Sequence, residues 1–101
     1  CGDSTFIIET SDGSPFVSDC QQLSRNLFVT MDPRKWRYFA MHRTCAIGMR
    51  RFDLKAIVIG TDDVKDIIRD LIKLNPRKDR VGGKGVMRCE PYRRELEWSV
   101  F

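Results

Sequence analysis

Four cysteines, at positions 1, 20, 45 and 89 of a chain of 101 residues, constrain this sequence more than any other feature. No two form a C-x-x-C pair, and the spacings of 19, 25 and 44 residues do not suit a structural zinc site, which usually takes two ligands from one tight turn. A short chain with an even number of widely spaced cysteines reads instead as an extracellular, disulfide-bonded domain. The chain begins with Cys1 rather than Met, as expected of a secreted protein whose signal has been removed. The competing account is an intracellular domain whose four free thiols pack as small core hydrophobes.

A chain of this length is expected to form one domain, residues 1–101, with a core that covalent cross-links would usefully reinforce. At 42% hydrophobic and 32% charged residues it has the composition of a globular protein, and no apolar run is long enough for a transmembrane segment. The net charge of +4 is unevenly spread. Arg34 to Arg51 contains bases and no acid, whereas Gly60 to Asp70 holds four acids against two bases. A dipolar surface with one basic side follows.

Periodicity places the elements. Thr5 to Thr10 is β-rich and bounded by turn residues, so it reads as a short strand. Ser14 before Pro15, or Ser18 with Gln21 as a capping box, then starts a helix with Val17, Cys20, Leu23, Leu27 and Phe28 on one face. Lys35 to Met41, Arg43 to Phe52 and Lys55 to Ile59 read as three strands, the second with Cys45, Ile47 and Met49 on one side. A second helix begins at Thr61 as N-cap, carries Val64, Ile67, Ile68, Leu71 and Ile72 at helical spacing, and stops at Asn75-Pro76. Val86 to Cys89 and Glu95 to Phe101 supply two closing strands. The order β-α-β-β-β-α-β-β predicts an α+β fold, a largely antiparallel β-sheet with two α-helices packed on one face, the outer face carrying the bases.

The segments C-G-D-S-T-F at the start, S-P-F-V-S-D-C-Q-Q-L from Ser14, T-C-A-I-G from Thr44, G-T-D-D-V-K-D-I-I-R-D-L-I from Gly60, V-G-G-K-G-V-M-R-C from Val81 and the closing Trp98 occur in one order. In that order they resemble the fungal necrosis-inducing effector domain, the family of homologues of the second extracellular protein of Cladosporium fulvum. A looser likeness is to the killer toxins of smut fungi. The resemblance implies a secreted, non-enzymatic effector that induces or modulates plant cell death in the host apoplast. It needs no cofactor and no metal. It also implies that Cys1, Cys20, Cys45 and Cys89 are disulfide cysteines. Because Cys20 falls on the apolar helix face and Cys45 on the inward side of a strand, the expected pairs are Cys20 with Cys45 and Cys1 with Cys89.

The segment Pro33 to Arg43 departs from the family pattern by interleaving bases with Trp36, Tyr38 and Phe39. Its outward residues Lys35, Arg37 and Arg43 form the candidate binding surface, with Trp36, Tyr38 and Ala40 turned inward. The expected partner is a host protein, a membrane or a cell-wall component, with nucleic acid disfavoured and the chain a monomer or weak dimer. An antifungal protein acting on competitor cells is the first alternative. A small ribonuclease using His42 with Glu95 or Glu97 is the second. In one extended strand His42 and Cys45 would face opposite ways, which argues against a Cys/His dyad. Val81 to Gly85 lacks the G-x-x-x-x-G-K-[ST] pattern of a phosphate loop, so a hairpin or bulge requiring positive φ is the preferred account of its glycines.

Overall fold

The computed structural model describes residues 4–27, 37–51, 61–89 and 94–101. In them the chain forms β1 (Ile7–Ile8), α1 (Val17–Asn26), β2 (Arg37–His42), β3 (Cys45–Arg51), α2 (Thr61–Leu74), β4 (Gly83–Cys89) and β5 (Arg94–Val100). The strands lie in one sheet in the order β1-β4-β5-β3-β2, and every neighbouring pair is antiparallel. This is the α+β architecture that the alternating elements predict. The strand expected at Lys55 to Ile59 lies outside the described residues.

The two helices give one face of the sheet its cover. From α1 come Cys20 and Leu23, with Leu27 at its C-terminal cap; from α2 come Val64, Ile67, Ile68 and Leu71. They meet the inward rows of the sheet, Ile47 and Met49 of β3, Met87 of β4, and Leu96, Trp98 and Val100 of β5. Alternation is regular along β4, where buried residues take every second position. Trp98 is 1% exposed, and the ring of Phe6 tilts against it at a centroid distance of 5.4 Å. This aromatic contact anchors the segment before β1 on the sheet.

Helix α2 forms where the periodicity puts it. Asp62 and Asp63 lie in its first turn and Lys73 in its last, a charge arrangement that complements the helix dipole. Thr61 is already the first helical residue. Asn75 ends the helix and is itself buried. Its amide donates to the carbonyls of Arg77 and Arg80, each at 2.6 Å, while its side-chain oxygen accepts from Thr10. One side chain thus fixes the turn after α2 and ties it to the end of the first extended segment.

Helix α1 starts differently from either expected cap. Its N-cap is Phe16, without a side-chain hydrogen bond. The hydroxyl of Ser14 instead accepts from the Ser11 amide at 2.8 Å and closes the preceding turn. The entry to the helix is held by tertiary bonds in place of a local cap. Val17 N donates to Asp79 O, Val81 N donates to Pro15 O, and Arg80 stacks over the Phe16 ring at 4.1 Å.

The glycines of Val81 to Gly85 do not serve positive φ, since no described glycine has one. They allow close approach. A Cβ on Gly85 would overlap the carbonyl oxygen of Thr5, and one on Gly83 would come within 2.8 Å of the carbonyl oxygen of Ile7 and 2.7 Å of a Leu71 methyl. Bare backbone here lets the β1 segment and α2 both rest on β4.

Candidate functional site

Where α1 meets the β2–β3 hairpin, two consecutive residues of the helix grip two consecutive residues of the hairpin. Cys20 and Cys45, both buried, are joined by a disulfide with an S–S distance of 2.04 Å. Beside them the Asp19 carboxylate accepts from the amide of Thr44 at 3.3 Å and from its hydroxyl, which in turn accepts from the Phe16 amide at 3.0 Å. The clasp is completed by Arg43, whose φ of 52° lies in the left-handed region that a two-residue hairpin needs. The expected pairing of Cys20 with Cys45 is therefore observed. Cys89 is also disulfide-bonded, and Cys1 lies outside the described residues.

The hydrogen bond from Thr44 holds the Asp19 carboxyl below its usual pKa, opposed by partial desolvation and assisted by nearby Arg43 and His42. A carboxyl whose folded pKa is depressed stabilises the fold fully above the unfolded value and loses that contribution as pH falls through the folded one. The melting temperature of the native protein is therefore expected to fall more steeply below about pH 4 than that of Asp19→Asn. Thermal melts from neutral to acidic pH test this, and parallel curves would show that the clasp is not linked to protonation.

The clasp also places His42. It is the direct cross-strand partner of Cys45, so the two project to the same side of the hairpin, not to opposite faces as within a single strand. The disulfide removes the Cys45 thiol as a nucleophile.

Of the three residues proposed as a basic surface, only the Arg43 side chain falls among the described residues. Arg43 is exposed but sits in the hairpin turn, and Arg37 opens β2 opposite Arg50 with its side chain outside the described residues. Lys35 lies outside them altogether. The outward positions of β2 that follow are apolar: Phe39 is 56% and Met41 62% exposed, while Ala40 turns inward against the core.

Among the described residues the outer face of the sheet carries acids as well as bases. Its described cations are matched by acids, Arg50 with Glu97 at 3.0 Å, Lys84 with Glu9 at 3.2 Å and Arg88 with Glu95 at 3.6 Å. Two of these pairs join residues directly opposite in register, where sequence alone could not place them. Each is solvent-exposed and adds little stability. Their effect is to set an acid beside each of these described cations.

At one end of that face the Phe101 ring lies against Gly48, where an added Cβ would be 3.4 Å from it, and meets Phe39 at a centroid distance of 6.0 Å. Phe101 is 57% exposed. A depression of about 440 Å³ opens beside this pair, lined among the described residues by Phe39, Gly48, Arg50, Glu97 and Ser99 together with parts of Met49 and Trp98. Sequence reading missed this site. The available signal was parity: Phe39 shares the outward side with Met41, and Phe101 the side of Glu97 and Ser99.

Comparison with known proteins shows the family. The profile of the Hce2 family, described as a pathogen effector and proposed necrosis-inducing factor, matches residues 1–89. The chain belongs to the Hce2 family. Among curated proteins it is similar to the secreted chitinase LysM12 of Penicillium expansum, at 33% identity over 98% of this chain and 7% of that protein. It is also similar to the probable chitinase LysM18 of the same organism, at 28% identity over all of this chain and 8% of that protein. The chain thus spans less than a tenth of the length of these relatives. The stretch similar to this chain is accordingly a small part of each of those polypeptides.

Proposed function

We propose that this Hce2 domain is a secreted effector that induces or modulates plant cell death without catalysis, by binding a surface component of the cell it meets. Family membership over residues 1–89 is the observation that carries this reading. The buried disulfide supports it, because such bonds persist in oxidising, extracellular surroundings. Of a host protein, a membrane and a wall component, the relatives favour the last. Those proteins are named as chitinases, one of them secreted, and chitin is a cell-wall polysaccharide.

Infiltration of leaf tissue with the oxidised protein, scored by ion leakage, tests the reading. Lesions are expected from the oxidised form and not from reduced, alkylated protein, since the fold depends on its cross-links. Healthy tissue after infiltration, together with growth inhibition of yeasts by the same preparation, would replace the plant-directed reading with the antifungal one.

A further inference from the structure

The depression beside Phe39 does not stand alone. A second, of about 340 Å³, lies on the same solvent face and is lined among the described residues by Thr5, Ile7, Lys84, Gly85, Val86 and Glu97. Glu97 borders both. Register explains the continuity, because Phe39, Gly48, Ser99, Lys84 and Ile7 are successive cross-strand partners from β2 to β1. With adjacent strands about 4.8 Å apart, four steps give a furrow about 19 Å long, room for about four extended sugar rings.

We propose that this furrow binds a linear β-1,4-linked N-acetylglucosamine oligosaccharide, an inference that rests on the wall-directed reading above and names its ligand. At the β2 end, Phe39 and Phe101 offer exposed ring faces for the apolar faces of pyranose rings and for acetamido methyl groups. The bare backbone at Gly48 lets the Phe101 ring lie across it. Further along stand the Arg50–Glu97 pair, the Ser99 hydroxyl and the Lys84–Glu9 pair. A neutral acetamide carries a donor and an acceptor, so it can bridge such a pair and leave neither charge uncompensated. A phosphate or a polyanion would have to displace the carboxylates. The pairing of Arg50 and Lys84 with acids therefore favours a neutral, hydrogen-bonding chain over an anionic one.

Titration of the oxidised, isotope-labelled protein with tetra-N-acetylchitotetraose, followed by amide NMR shifts, tests the proposal, with cellotetraose as the comparator lacking acetamides. Perturbations are expected along residues 47–50, 84–86 and 97–101, and a much weaker response to cellotetraose. Phe39→Ala, at an exposed position, should weaken binding about tenfold with an unchanged melting temperature. Gly48→Val, whose side chain would push the Phe101 ring from its place, should do the same; Phe39→Ala decides if that variant folds poorly. No shifts at millimolar sugar, shifts confined to other residues, equal binding of cellotetraose, or unaltered affinity in Phe39→Ala would each overturn the assignment. Tissue lesions without sugar binding would sink the furrow and leave the effector reading intact, whereas sugar binding without lesions would support the furrow and remove that reading.

Discussion

Cys45→Ser is expected to lower the unfolding free energy by about 2–5 kcal/mol, enough to leave a domain of this size largely unfolded at physiological temperature. The Cys20–Cys45 bridge closes a loop with a sequence separation of 25, for which chain entropy alone predicts about 3.5 kcal/mol. Both sulfurs are buried in the layer between α1 and β3, so the serine would also bring a hydroxyl into apolar surroundings. Urea unfolding of Cys45→Ser and of the double variant Cys20→Ala with Cys45→Ala separates the two contributions. The double variant lacks the cross-link but buries no new hydroxyl, and it should recover part of the loss. Equal midpoints for native and variant proteins would mean that the Asp19–Thr44 hydrogen bonds hold the helix to the hairpin unaided.

What could be read from the sequence follows from how local its determinants are. Helix α2 was legible because Val64, Ile67, Ile68 and Leu71 repeat within the helix itself, and the inward sides of β3 and β5 because parity along a strand is local too. The Cys20–Cys45 pair could be inferred from two such local patterns meeting. What failed depended on residues far apart in the chain. Ser14 and Ser18 look like caps, but α1 is held at its start by bonds from the segment around Asp79 to Val81. Gly83 and Gly85 look like turn residues, yet what requires them is a strand about eighty positions earlier and a helix packed above. The pairing of outer-face bases with acids was hidden for the same reason, since Arg50 meets Glu97 only once register is set. The candidate site is a product of that register, drawing Phe39, Gly48, Glu97 and Phe101 from three separate segments.

Leu71→Ala is expected to destabilise the fold by about 2–5 kcal/mol, the range for truncating a fully buried leucine. Leu71 is 1% exposed and sits one turn beyond Ile67 and Ile68 on the face that α2 turns to the sheet. Its methyl lies directly over the bare Cα of Gly83, so the leucine fills space that β4 leaves by having no side chain there. Neighbouring atoms have little freedom to collapse into the void. Gly83 is fixed by its pairing with β1 on one side and β5 on the other, and the end of α2 is held by Asn75. A site that cannot relax belongs at the upper part of the range. Chemical denaturation with an unchanged dependence on denaturant concentration would show a loss of packing without a change in the unfolding reaction. A loss below about half a kcal/mol would mean that this stripe of α2 is not packed on the sheet.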